Sequence, residues 1–239
     1  MKARLFLFVL LAVPGLAWAQ GRNGHAPDKS GGTATHGLDR DKASYAVGYQ
    51  IGSRVAQGKD TFDIDILVKA LRDAYAGRKP RVPAAQMREQ LGILGQQLRQ
   101  RAAANFQQQA RRNALDSQRF MAANKTRAGV KTLPSGVQYK ILRQGQGAHP
   151  TLDSTVVANY RGSLINGMEF DSSYAHGHPV TFPVSRMLPG WKDVLPRMRV
   201  GGKWKVWIPP QQAYGKHGQL PRIGPNEVLV FEIDLLKVK

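Results

Sequence analysis

The segment that decides the fold is LVFEIDLL, residues 229–236. Its apolar side chains alternate with residues of the opposite face: Leu229, Phe231, Ile233 and Leu235 against Val228, Val230, Glu232 and Asp234. A period of two is typical of a β-strand with one buried face. Residues 137–141, 156–160 and 203–208 alternate in the same way, and turns rich in Gly, Asn and Pro separate these runs. One short helical patch lies at about residues 190–197. The C-terminal half is therefore predicted to be an antiparallel sheet with a short helix packed on its buried face, an α+β fold.

Upstream of residue 129 the period becomes helical. Val47, Ile51 and Val55 recur every four residues, and a second short helix is expected after Asp63. A third stretch, residues 83–128, has no proline beyond its first residue and carries a narrow apolar stripe. At 1.5 Å per residue it predicts a rod of roughly 60 Å. Such a helix is expected to stand in solvent or to pair with another chain.

The chain is predicted to have five parts. A positive start, an apolar run and the site Ala17-Trp18-Ala19 indicate a cleaved signal peptide, with an uncleaved N-terminal anchor as the alternative. The parts are residues 1–19, signal peptide; 20–40, disordered leader; 41–82, helical dimerisation region; 83–128, long connecting helix; and 129–239, the sheet domain. The dimer is expected because Gly48 and Gly52 share a helix face where another backbone can pack closely. The two short helices are also too small to form a core alone.

Composition excludes several classes of protein. The chain has no cysteine, which excludes disulfides and thiol chemistry. Its 35 Lys and Arg against 16 acidic residues give a net charge of +19. These cations are spread along the chain without a zinc spacing or helix-turn-helix pattern, so anionic cell surfaces or acidic client chains are favoured over nucleic acid. No later stretch approaches the roughly 18 apolar residues of a membrane span.

The candidate site is a concentration of aromatic and aliphatic residues beside turns. Its members are Tyr160, Phe170, Phe182, Trp191, Tyr214, Ile223 and Phe231. No Ser/His/Asp order, paired carboxylates or glycine-rich phosphate loop accompanies them. The pair His176 and His178 lacks a third metal ligand and is typical of a surface loop. An apolar pocket for an uncharged or peptide-like group is predicted, without cofactor or metal.

The same half resembles the FKBP-type (immunophilin) prolyl isomerases. The matching motifs, in the family's order and spacing, are VANYRG at 157–162, GMEFDSS at 167–173, LPGW at 188–191, AYG at 213–215 and LVFEIDLL at 229–236. The likeness runs from about Ser135 to Lys239. The preceding arm, through residues 44–52 and 129–136, is similar to the macrophage infectivity potentiator-like branch of Gram-negative bacteria. That branch implies a homodimer with catalytic domains held apart on long helices.

The resemblance implies a peptidyl-prolyl cis/trans isomerase with a twisted sheet wrapped on a short helix. The implied catalytic residues are Tyr160, Phe170, Asp171, Trp191, Tyr214 and Phe231; the implied substrate-binding residues are Val180, Met187, Leu188, Gln219 and Ile223. Val180 stands where an aromatic wall often lies, and Gln219 where a histidine can occur. Both departures bear on macrolide inhibitor binding and on the preference for the residue before proline.

Partners and location follow from the same resemblance. The expected partners are unfolded or proline-containing polypeptides, and chaperone activity is expected beside the isomerase. The expected location is the periplasm, the secreted fraction or the outer-membrane surface of a Gram-negative bacterium. The alternative is a catalytically weak chaperone or surface-interaction module on the same fold.

Overall fold

The computed structural model describes residues 37–56, 58 and 60–239. The predicted signal peptide and most of the predicted leader therefore lie outside the described residues. The chain divides into two compact units, with the boundary between Lys79 and Pro80.

The described part of the first unit contains two helices, α1 (Arg40–Ala56) and α2 (Ile64–Tyr75). The Asp63 carboxylate caps α2 by accepting hydrogen bonds from the backbone N–H groups of Asp65 and Ile66 at 2.9 and 3.1 Å. Gly77 follows α2 with a φ of 67°, in the left-handed region that ends helices. The predicted helical arm is confirmed, and α1 has no buried residue.

The second unit begins with α3 (Ala84–Lys125), which continues through Gly92 and Gly95 without interruption. A sheet of seven strands follows within the described residues: β1 (Lys131–Thr132), β2 (Gln138–Arg143), β3 (Thr155–Leu164), β4 (Glu169–Ser172), β5 (Val180–Pro183), β6 (Lys203–Ile208) and β7 (Leu229–Val238). The strand order is β1-β2-β6-β7-β3-β4, all neighbours are antiparallel, and β5 pairs with the first half of β3. The predicted α+β class is confirmed.

The main core lies between the sheet and a short helix, α4 (Pro189–Val194). The strand residues predicted to face inward do so: Val206, Ile208, Leu229, Ile233 and Leu235 are fully buried. Trp191 and Val194 of α4 complete the same cluster. A Cβ at Gly190 would lie 2.4 Å from Ile208 Cγ2, so glycine is what lets α4 approach β6.

The last part of α3 packs on the opposite face of the sheet. Phe120 and Met121 contact a second cluster formed by Trp207, Val228 and Val230. The buried Asn124 donates a hydrogen bond from Nδ2 to Gln138 Oε1 of β2 at 2.8 Å. The second face of the sheet is therefore partly covered. The last part of α3 packs on it, so α3 is not free of the sheet over its whole length. The prediction of a single buried face and a free rod was wrong at this point.

Candidate functional site

Four aromatic rings from four different elements converge above the core. Phe231 of β7 is central: its ring centroid lies 5.0 Å from that of Trp191 (α4), 5.6 Å from Phe170 (β4) and 6.4 Å from Tyr160 (β3). Tyr160 and Trp191 are themselves 5.6 Å apart and nearly perpendicular. Edge-to-face contacts of this kind hold rings in fixed orientations. These side chains, which are far apart in the sequence, form one continuous aromatic cluster.

Gly162 lets the rings approach strand β3. A Cβ there would lie 2.7 Å from the Phe231 ring and 2.8 Å from the Phe170 ring. Any side chain at this position would therefore push two of the cluster's rings out of place. The glycine ends the VANYRG motif because the aromatic cluster occupies the space above it.

Asp171 lies at the edge of the cluster with three hydrogen-bond donors around it. Tyr160 Oη donates to Oδ2 at 2.6 Å, while the backbone N–H of Ser172 reaches Oδ1 at 2.9 Å. His176 Nε2 also lies 3.1 Å from Oδ1. Burial alone would raise the pKa of Asp171, but these hydrogen bonds together hold that pKa below its usual value. The carboxylate is therefore ionised at neutral pH.

The two tyrosines next to Asp171 stay protonated. Burial, reinforced by the hydrogen bond to Asp171, raises the pKa of Tyr160 far above its usual value. Burial and then the charge of Asp171 raise the pKa of Tyr214 as well. Both hydroxyl groups therefore remain hydrogen-bond donors at neutral and mildly basic pH.

A cavity of about 560 Å³ opens beside Asp171. Its lining comprises Phe170, Asp171, His176, Tyr214, Gln219, Leu220, Pro221, Arg222 and Ile223. Five of the predicted site residues are in that list. Tyr160, Trp191 and Phe231 belong to the aromatic cluster that includes Phe170. Val180, Met187 and Leu188 are half-buried and pack against the core around Trp191, but they are not part of this lining.

Sequence reasoning missed four lining residues: His176, Leu220, Pro221 and Arg222. His176 was interpreted as part of a surface loop, yet it contacts the carboxylate five residues earlier in the chain. Arg222 Nη1 donates to the backbone oxygen of Phe170 at 3.0 Å, which ties two sides of the cavity together. The one available signal was position in the sequence. His176 lies shortly after the motif that contains Asp171, and Arg222 directly precedes the predicted site residue Ile223.

The floor of the cluster contains an unusual polar group. Trp191 is 1% exposed, and its Nε1 is buried without a hydrogen-bond partner among the described residues. A buried unpaired N–H group costs about 1–3 kcal/mol.

Among the described residues, no group of three or more His, Cys, Asp or Glu side chains could hold a metal ion. No helix of the described chain is sufficiently long and apolar to span a lipid bilayer. The site is an aromatic cluster whose Phe170 borders a cavity of mixed polar and apolar lining, and Asp171 and Tyr214 belong to that lining.

Two protein-family models match the chain. Residues 146–236 match the FKBP-type peptidyl-prolyl cis-trans isomerase, and residues 40–141 match the domain amino-terminal to that isomerase. Together the two matches span nearly all the described residues.

Individual relatives agree. The chain is 41% identical to the peptidyl-prolyl cis-trans isomerase Mip of Coxiella burnetii, over 87% of this chain and 93% of that protein. It is 38% identical to the outer membrane protein MIP of Legionella longbeachae, over 84% and 86% of the two chains. Among solved structures, FkpA from Escherichia coli aligns with a TM-score of 0.68 at 34% identity, covering 84% of this chain and 97% of that one.

Proposed function

From the premise that the chain belongs to the FKBP-type peptidyl-prolyl cis-trans isomerase family and accelerates rotation about Xaa-Pro bonds, we propose that the reaction takes place over the aromatic cluster. The observation that carries this proposal is the convergence of Tyr160, Phe170 and Trp191 on Phe231, since each ring centroid lies within 6.4 Å of the Phe231 centroid. Phe170 of this cluster also lines the cavity that contains Asp171 and Tyr214.

The chemistry requires only a change of environment around the imide bond. Amide resonance creates a barrier of about 18–20 kcal/mol, whereas the cis and trans forms of an Xaa-Pro bond differ by less than about 1 kcal/mol. Water stabilises the planar amide through its polarised oxygen. An apolar hollow withholds that stabilisation and favours the twisted, less polar amide. No proton needs to be transferred.

Each side chain then has a physical role. The indole of Trp191 forms the floor beneath the proline ring, and Tyr160, Phe170 and Phe231 form its walls. The protonated Tyr214 hydroxyl donates to a substrate carbonyl and fixes the direction of the peptide. The ionised Asp171 accepts from Tyr160, which keeps that wall in place. Met187, Leu188 and Val180 extend the apolar surface around the floor, while Gln219 and Ile223 contact the residue before proline.

The test is a peptide isomerisation assay coupled to a trans-specific protease, with the residue before proline varied. Tyr214→Phe removes one neutral hydrogen bond, worth about 1 kcal/mol, so kcat/KM should fall about fivefold. Asp171→Leu removes a charged hydrogen-bond acceptor and should lower kcat/KM about tenfold or more.

The matched control is Tyr174→Phe. Tyr174 is an exposed tyrosine just after β4 and is not among the cavity-lining residues. It should leave the rate unchanged. Equal rates for the parent, Tyr214→Phe and Asp171→Leu would place the reaction elsewhere. No acceleration by the parent protein would favour a chaperone without useful catalysis.

We also propose that the arm forms a homodimer through residues 41–82. Eight residues of α1 and α2 line a hollow of about 590 Å³: Ala43, Ser44, Val47, Gly48, Ile51, Leu71, Arg72 and Tyr75. Its surface is largely apolar. A Cβ at Gly48 would meet nothing within 4 Å, so space for a second backbone exists beside it. A second copy of the same arm is the occupant we propose.

The same arm supports a role on exported client chains. We propose that the protein acts in the periplasm or at the outer-membrane surface after removal of residues 1–19, and that two arms bring two isomerase sites onto one unfolded polypeptide. The signal-like N-terminus supports export, and one relative is named an outer membrane protein. A macrolide would bind over the aromatic cluster, with Val180 and Gln219 setting its affinity.

A further inference from the structure

One loop closes the proposed site and also contacts the long helix. This closing loop, residues 213–228, lies between β6 and β7 and ends at the start of β7. On one side it supplies Tyr214 and residues 219–223 to the cavity lining. On its other side it lies against α3, which belongs to the same compact unit.

Three side chains join α3 to this loop. Asn113 Nδ2 donates to the backbone oxygen of Pro225 at 2.8 Å. Ser117 Oγ donates to the backbone oxygen of Asn226 at 2.7 Å and accepts from the Val228 N–H at 3.2 Å. In return, Asn226 Nδ2 donates to a backbone oxygen of the helix at 3.0 Å. Ser117 is only 3% exposed, so these bonds are shielded from competing water.

The anchored end of the loop is connected to the catalytic end by backbone contacts. The Asn226 N–H donates to the oxygen of Gly215, the neighbour of Tyr214, at 2.8 Å. Gln219 and Ile223 exchange two backbone hydrogen bonds of 2.8 and 3.0 Å. Gly218, with a φ of 65°, lies so close to Gly224 that a Cβ there would be 2.5 Å from its carbonyl atoms. A shift at residues 225 and 226 would therefore move Tyr214 and Ile223 as well.

We propose that Asn113 and Ser117 are positioning residues for the isomerase site: the long helix fixes the closing loop, and through it Tyr214 and Ile223. The inference rests on the proposed location of the reaction. Connecting loops are otherwise the mobile parts of a fold, and a site must hold its groups to within a fraction of an ångström. The helix supplies that rigidity, so it is part of the active site although it touches no substrate.

A merely structural role would predict a loss of stability and nothing else. Asn124 provides the matched control, because it is a buried polar residue of the same helix that anchors to β2 rather than to the closing loop. Removing its side chain breaks a hydrogen bond of the same kind without touching residues 213–228. Stability and catalysis can thus be separated within one helix.

The experiment compares Ser117→Ala, Asn113→Ala, Asn124→Ala and Ser117→Thr in the full-length protein, at a temperature where each is folded. Asn113→Ala removes one anchoring bond and Ser117→Ala removes two, and each variant should lower kcat/KM about three- to tenfold. It should also change the ratio of rates between substrates with small and large residues before proline. Amide hydrogen exchange should quicken in residues 214–223. Ser117→Thr, which keeps the hydroxyl, should recover most of the rate.

Asn124→Ala should lower stability but keep the parent's substrate ratio and loop exchange. The inference is overturned if Ser117→Ala and Asn113→Ala behave like Asn124→Ala in kcat/KM, in the substrate ratio and in amide exchange of the loop. That result, together with slow Tyr214→Phe and Asp171→Leu variants, would leave the proposed site intact and reject only the role of the helix. If those two variants also keep the parent's rate, the location of the site is wrong and the inference fails with it.

Discussion

The two units of the chain use the same kind of apolar side chain in opposite ways. In the second unit, Val206, Leu229 and Ile233 are fully buried between the sheet and α4. In the first unit, Val47 is 58% exposed and Leu71 is 53% exposed, although both belong to regular helical stripes. Periodic apolar residues form a stripe in each unit, but only the second unit has enough chain to bury that stripe itself.

This difference separates two sources of stability. A core completed within one chain contributes the same stability at every protein concentration. A face completed by a second copy contributes stability that depends on protein concentration through mass action. The following predictions test this contrast, from the largest expected effect to the smallest.

The largest effect is expected from a cavity in the isomerase core. Ile233→Ala removes a fully buried side chain and should lower the free energy of unfolding by about 2–5 kcal/mol. Urea denaturation followed by tryptophan fluorescence measures this change. Ile93→Ala, at an exposed position of α3, should stay within about 0.5 kcal/mol of the parent. A midpoint for Ile233→Ala that moves with protein concentration would contradict a self-contained core.

A charged side chain introduced into the helical arm should instead weaken the proposed homodimer. Leu71→Glu places a carboxylate in the apolar hollow of α1 and α2, and burying it against a second copy should weaken the dimer about 100-fold or more. Light scattering should show a single-chain mass, while the rate on short peptides stays that of the parent. The variant should also be less effective in speeding the refolding of a client protein whose slow step is prolyl isomerisation.

The control is Lys69→Glu, which adds the same residue to α2 outside the hollow and should remain a dimer. If Leu71→Glu also remains dimeric at low micromolar concentration, residues 41–82 do not form the interface.

The strands could be predicted from sequence because their burial follows a simple period. Trp204, Val206 and Ile208 face the main core as their alternation indicates, and α2 begins at the acidic cap that the sequence offers. The convergence of Tyr160, Trp191 and Phe231 required more, since alternation cannot determine which strands become neighbours. Motifs in a family's order supplied that information.

Several of the contacts that sequence reasoning missed are polar. Asn113 and Ser117 of α3 anchor the closing loop, and Asn124 of the same helix anchors to β2. A search for apolar periodicity passes over such residues. His176 was missed for a related reason: its partner is determined by how a loop folds back onto Asp171, and no pattern in the sequence records that geometry.

The smallest effect concerns a carboxylate beside the same docked face. Burial, and then the charge of Asp116 on α3, raises the pKa of Glu227. An acid whose pKa is higher in the folded state is destabilising when ionised, so its cost is fully present above the folded pKa and disappears as the pH falls below the unfolded value near 4.5. Glu227→Gln should therefore raise the melting temperature by about 1–2 °C at neutral pH.

That gain should shrink as the pH falls through 4.5 and vanish by about pH 3, where the parent's Glu227 is protonated in both states. Calorimetry across this range tests the sign. The control is Glu89→Gln, at an exposed position of α3, which should leave the melting temperature unchanged. Because Glu227 neighbours Asn226 in the closing loop, a neutral side chain there should also tighten the loop on the helix, and slower amide exchange in residues 214–223 would accompany the gain. If Glu227→Gln lowers the melting temperature at neutral pH, the surroundings stabilise the Glu227 charge, and the prediction is wrong.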